Sequence, residues 1–207
     1  MRGWMCVPMM TLCLLLCGCG GGSETGEPEE ALRQPYQTMT GCTMEAEVTC
    51  RNGEEAAAFT LRCDYAAEGE STVEVLSPET AAGVRATVDG ETMKLEYREL
   101  CLPVGNVDGI APATCLPRLM DTLREGWLLE ANREKLDGIP CVRLCLDRTG
   151  ADEGDILAVI WLREEDGTPL RGEIAVEDEI ILQAQFTKFE FRDIITDQAD
   201  EAGSAKS

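Results

Sequence analysis

From residue 41 the chain alternates between apolar and polar positions. Met44, Ala46, Val48 and Cys50 are separated by Thr43, Glu45, Glu47 and Thr49, so a strand through them has one greasy and one wet face. Arg51-Asn52-Gly53-Glu54 follows, and Asn-Gly is the strongest short hairpin signal. Phe59, Leu61, Cys63 and Tyr65, alternating with Thr60, Arg62 and Asp64, supply the partner strand, and Val73 and Val75 continue the meander. Ser77-Pro78-Glu79 ends that strand and predicts a short helical turn, with Ser77 as N-cap and Pro78 in first position. Val84, Ala86 and Val88, the Asp89-Gly90 turn, and Met93, Leu95 and Tyr97 form the next hairpin.

Leu100 to Ala113, rich in Pro and Gly, reads as an irregular crossover. It leads to a helix over Cys115 to Glu125, with Thr114 as N-cap and Gly126 as a left-handed C-cap. Leu116, Leu119, Met120 and Leu123 fall at i, i+3, i+4 and i+7, one apolar stripe that must cover something. Beyond it strands resume: Trp127 to Arg133, then Asp137-Gly138, then Ile139 to Leu146. After a charged loop, Arg148 to Asp155, Ile156 to Leu162 is apolar on both faces and so reads as central. Glu164-Glu165-Asp166-Gly167 turns into Leu170, Ile174 and Val176, and Glu177-Asp178 turns into Ile180 to Phe191. Antiparallel sheets of about ten strands tend to curl rather than stay open and flat. The predicted fold class is therefore mainly β (α+β): a single curved antiparallel sheet or half-open barrel, with one main helix against its concave face.

The N-terminal stretch is of a different kind. Arg2 precedes an apolar run from Trp4 to Leu16, which breaks into glycines at Gly18 to Gly22. This is the layout of a secretory leader, and the run is too short, with Pro8 inside it, for a spanning helix. Leu16-Cys17-Gly18-Cys19 resembles the lipobox of bacterial lipoproteins. That resemblance implies cleavage before Cys19 and acylation of its sulfur, which would hold the protein on the outer face of the cytoplasmic membrane. Gly20 to Gln37 lacks apolar groups to bury and reads as a disordered acidic tether, with a span on the order of 20–25 Å. The expected divisions are a leader at 1–18, a lipidated cysteine and tether at 19–37, a folded domain at 38–193 and a polar tail at 194–207.

Composition narrows the function. Removing Arg2 with the leader leaves 17 basic against 39 acidic residues, a net charge of −22. Such a surface repels phosphate backbones, so no nucleic acid partner is expected, and it repels anionic headgroups, so membrane contact falls to the acyl chains. Histidine is absent, which removes Ser-His and Cys-His nucleophile pairs and the commonest zinc ligand. Of eleven cysteines, seven lie beyond Cys19: Cys42, Cys50, Cys63, Cys101, Cys115, Cys141 and Cys145. Their spacing fits no zinc motif, and an odd number cannot all pair. They read mainly as small buried hydrophobes, with one or two disulfides as the alternative. No cofactor and no metal is expected. Asp64 with Glu68, or Glu164-Glu165-Asp166, are the remaining paired carboxylates, and acidic turns of this sort are usually solvated loops.

A meander, Ser77-Pro78-Glu79 with a short helix, Ala82-Gly83-Val84 into the next strand, and Gly167-Thr-Pro-Leu-Arg-Gly-Glu-Ile174 together resemble a lipoprotein-carrier (LolA/LolB-like) domain. The layout is also similar to spore-germination lipoproteins of Gram-positive bacteria. The carrier resemblance implies a half-barrel that binds a lipid or acyl chain. Its lining would be Met44, Val48, Phe59, Leu61, Val75, Leu95, Leu144 and Ile174, closed by Leu119, Met120 and Leu123. Taken one at a time, each of these residues reads first as part of a filled core plugged by Leu119, Met120 and Leu123. The germination resemblance implies instead a scaffold that binds and stabilises or localises a cell-envelope enzyme. In that reading, the acidic surface favours a basic partner, and the segment Leu100 to Ala113, with Val104 and Ile110, offers the contact.

Overall fold

Alternation at period two does produce strands along most of the described residues. The computed structural model describes residues 28–52, 55–90, 92–106, 111–147, 156–176 and 179–194. The leader, Cys19, the first part of the tether, the Gly53-Glu54 turn, Ile110, the 148–155 loop, Glu177-Asp178 and the tail from 195 onward lie outside those residues. Eleven strands form one antiparallel sheet. The first six are β1 (Met39–Asn52), β2 (Glu55–Ala66), β3 (Ser71–Ser77), β4 (Arg85–Asp89), β5 (Thr92–Tyr97) and β6 (Leu100–Asn106). Helix α2 (Pro112–Glu125) then crosses to β7 (Trp127–Leu136), β8 (Ile139–Asp147), β9 (Ile156–Arg163), β10 (Pro169–Val176) and β11 (Glu179–Ile194). A second helix, α1 (Pro28–Thr38), precedes β1.

The strand order is β6-β5-β4-β3-β2-β1-β11-β10-β9-β8-β7. Two meanders are thus zipped together by their long strands β1 and β11, and β6 and β7 are the two open edges. Their pairing shifts register between Glu45 and Ala46 of β1, where Thr187 of β11 is the extra residue of a bulge. Helix α2 spans from one edge strand to the other and packs on both arms, against β2, β3 and β4 on one side and β8 and β9 on the other. The sheet is therefore open and curved over its helix, as the periodicity predicts.

Four sequence expectations are corrected. The irregular crossover beginning at Leu100 is largely strand β6. Pro103 hid it, and an edge strand tolerates proline because the missing N–H faces no neighbour. The second half of the tether is helix α1. Its composition is polar, but Tyr36 is fully buried and Arg33 is only 5 % exposed. Helix α2 begins at Pro112 in first position rather than after a Thr114 cap; the Thr114 hydroxyl instead accepts the Ala111 N–H at 3.2 Å. Gly126 is not left-handed (φ −62°); a Cβ there would lie 2.6 Å from the Thr122 carbonyl oxygen, so glycine is required for close approach. The Asp137-Gly138 turn does use positive φ, at 51° and 84°.

Arg33 explains why α1 is ordered. Its Nε donates to the Leu123 carbonyl at 2.6 Å, and its Nη2 donates to the Arg124 and Gly126 carbonyls at 3.2 and 2.5 Å. These are the acceptors that the end of α2 leaves without helical partners, at the negative pole of its dipole. Tyr36 donates to the Gly167 carbonyl at 2.5 Å and packs edge-on against Phe191, with centroids 5.0 Å apart.

On the outer face, register lines up opposite charges. Lys188, Glu45, Arg62, Glu74, Arg85 and Glu96 stand directly opposite one another on six neighbouring strands. The first pairs, Lys188–Glu45 and Glu45–Arg62, close to 2.9 Å each. A one-residue slip would place apolar groups opposite these charges, so the row reports register more than it stabilises.

Two outcomes follow. Arg33→Met leaves buried carbonyls at the end of α2 unpaired and lowers unfolding free energy by about 1–3 kcal/mol, read by urea titration; an unchanged midpoint would show that the latch is decorative. Hydrogen bonds from Lys188 and then Arg62 hold the Glu45 carboxylate below its ordinary range. A depressed carboxylate stabilises above its unfolded pKa of about 4.3, and that contribution is lost as pH falls through the lower folded value. Thermal midpoints of wild type and Glu45→Gln therefore converge as pH falls below about 4, and parallel curves from pH 7 to pH 3 would contradict this.

Candidate functional site

Inward-facing residues divide into two populations. Met44, Val48, Leu61, Leu119, Met120, Leu123, Leu144 and Ile174 are at most 2 % exposed and belong to one continuous cluster. The apolar stripe of α2 fills the concave face at this level. Leu119 reaches so far that a Cβ on Gly172 of β10 would lie 2.8 Å from its Cδ1. Phe59, Val75 and Leu95 face the same way but are only half buried, packed on the edge of that cluster. The eleven sequence candidates are therefore brought together, as eight core residues and a three-residue rim.

The rim continues onto the segment that begins at Leu100, where the sequence offered Val104 as a contact but did not show that Leu100 and Leu102 share the rim's face. Leu95 pairs with Leu102 and Tyr97 with Leu100, so both leucines share its face of the sheet, on edge strand β6. They are 60 % and 66 % exposed, and Val104, at the bulge beyond them, is also exposed. The signal was present, since Leu100, Leu102 and Val104 alternate at period two, but Pro103 and Gly105 between and beyond them read as loop. The outcome is an apolar strip that starts half buried at Phe59 and ends fully exposed on an open edge.

A cleft beside α2, between Thr114, Arg118 and Asp121 and the opposed Val88 and Thr92, encloses about 20 Å³. That is room for about one water and not for an acyl chain. Beneath it, the Tyr65 hydroxyl donates to Asp121 at 2.6 Å and accepts from Arg124 Nη1 at 3.2 Å, which pins α2 to β2.

All seven cysteines among the described residues are free. Burial pushes the Cys42 thiol up to about 12 and the Cys50 thiol to about 11, with Cys63 and Cys115 also well above the ordinary range. Such thiols stay protonated and are poor nucleophiles. The paired carboxylates are engaged elsewhere: Asp64 with Arg192, and Glu164 with Arg133 at 3.5 Å. Partial burial would raise Asp166, but the Thr168 N–H at 2.9 Å and Arg163 at 3.0 Å hold it low, the opposite of a general acid.

No family model matches this sequence, and no curated protein matches it. Solved structures similar to it include a LolA superfamily protein from Nitrosomonas europaea, 10 % identical, with a TM-score of 0.44, covering 80 % of this chain and 94 % of that one. A putative outer membrane lipoprotein-sorting protein domain from Vibrio parahaemolyticus is 11 % identical, with a TM-score of 0.47, over 80 % of this chain and 91 % of that one. A chain from the structure of the Clostridioides difficile CwlD amidase in complex with the GerS lipoprotein is 13 % identical, with a TM-score of 0.38, over 79 % of this chain and 93 % of that one.

Core and rim differ in what truncation costs. Leu119→Ala is expected to destabilise by about 2–5 kcal/mol. Leu102→Ser is expected to change stability by no more than about 0.5 kcal/mol. Urea unfolding of the two variants checks this, and equal losses would make Leu102 a core residue.

Proposed function

We propose that this protein is a lipid-anchored component of the cell envelope, acylated at Cys19 and held on the outer face of the cytoplasmic membrane, that works by binding rather than by catalysis. The binding surface is the apolar strip ending on β6. The observation that carries this reading is the exposure of Leu100 and Leu102 on a strand whose outer edge has no neighbour in the sheet. An edge strand presents backbone N–H and C=O groups as well as side chains, and only another polypeptide can satisfy both. The partner that fits best is a cell-envelope protein contributing an extended apolar segment, with basic flanks to suit a net charge of −22 on this chain after Cys19 exposure of the mature end. A second reading, a lipid or acyl chain as ligand, is favoured by the half-buried Phe59, Val75 and Leu95, which could receive methylene groups without any change in the filled core.

Cys101 is exposed on β6, which makes it a handle for the test. The full chain is processed in a bacterial envelope and derivatised there with a photo-cross-linking maleimide. Attachment of Cys101 to one envelope protein, lost in Leu102→Asp, supports the protein reading. A co-purifying lipid of defined mass in the native mass spectrum, lost in Phe59→Asp, supports the acyl reading. Neither result, from a correctly acylated chain, removes the strip as a binding surface.

A further inference from the structure

The opposite edge of the sheet carries a second exposed apolar feature. Trp127 is 80 % exposed and Leu129 57 % exposed at the start of β7. Between them Leu128 turns into the core opposite Leu146, and the strand bulges between Leu128 and Glu130. Gly126, just before the tip, is packed so closely that a Cβ there would meet the carbonyls of Thr122 and Asp147.

Its position relative to the chain entry indicates what covers it. The Arg33 guanidinium of α1 bonds the carbonyl of Gly126, the residue next to Trp127, at 2.5 Å. Helix α1 begins at Pro28. Five residues at 1.5 Å each put that start about 7.5 Å from Arg33 along the helix. From Pro28 back to Cys19 the chain reaches at most about 30 Å even when fully extended. A bilayer holding acyl chains on Cys19 is therefore kept within about 40 Å of the end where Trp127 and Leu129 stand out. Indole, with an apolar body and one N–H donor, is the side chain that settles best at a headgroup boundary.

We infer that Trp127 and Leu129 dock into the interfacial layer of the bilayer to which the chain is anchored, fixing the orientation of the domain; this rests on the reading of Cys19 as the lipid site. The neighbouring charges are paired, Glu125 with Arg124 at 3.6 Å and Glu130 with Arg143 at 3.4 Å, so the contact is apolar and gains nothing from anionic lipid. Docking at β7 leaves β6, at the other edge of the sheet, for a partner.

The test uses the full chain after processing in a bacterial envelope, with its acylation read from the intact mass, then reconstituted on phosphatidylcholine vesicles containing brominated lipid. Trp161 is 7 % exposed and donates to Glu134, so the difference between wild type and Trp127→Phe isolates Trp127. The expected result is a shift of the Trp127 emission to shorter wavelength and loss of most of it to the bromine quencher. Emission that stays unshifted and unquenched on a correctly acylated, vesicle-bound chain overturns the docking and leaves the anchor intact. An intact mass without acyl chains overturns the anchor and the docking together.

Discussion

Everything in this fold depends on one helix face being buried twice over. Leu116, Leu119, Met120 and Leu123 of α2 are fully buried. Removing such side chains from water is worth about 1.5–3 kcal/mol each. Because α2 joins the edge strands β6 and β7, it cannot cover one arm of the sheet without drawing the other over it. Gly172 is a point of close approach, where even a methyl group would meet Leu119. Curvature, the filled concave face and the two separated edges are all consequences of that placement.

A sheet that curls without closing keeps its edges, and edges invite pairing. Here the two edges are treated differently. Most of β7 carries charge: Glu130, Arg133, Glu134 and Lys135 follow the apolar tip. Edge strand β6 carries no charge and shows Leu100, Leu102 and Val104, with only Pro103 and the bulge at Val104 to interrupt pairing. The outer face between them is specified by charge register, from Lys188 through Glu45 and Arg62 to Glu74, and is wet by design of the pleat. One exception is the Trp161 cluster on the outer face, where Arg143 and Arg171 lie over the ring at 5.9 and 5.8 Å and cover what would otherwise be a greasy patch.

The half-barrel layout leaves open whether the concave face is a cavity or a filled core, and the packing fills it. Eight of the candidate lining residues are core, sealed by α2, while Phe59, Val75 and Leu95 form a shallow rim. What the molecule offers is therefore an apolar strip running out to an edge. This moves the weight from a ligand swallowed by the barrel to a ligand laid along its lip.

Local physics made most of the fold legible before any coordinates. Alternation at Met44 to Cys50 and at Phe59 to Tyr65, the stripe on α2 and the Asp137-Gly138 turn each depend on residues within one element, so they can be read from the order of the amino acids alone. Helix α1 could not be read that way, because its stability lies in Arg33 bonding carbonyls some 90 residues away and in Tyr36 bonding Gly167. Nor could β6, since Pro103 is acceptable only once the strand is known to be at an edge, a property of the whole sheet. Which apolar side chains are buried and which are left open is likewise decided by where α2 comes to rest: the same alternation produced Leu61 in the core and Leu102 at the surface.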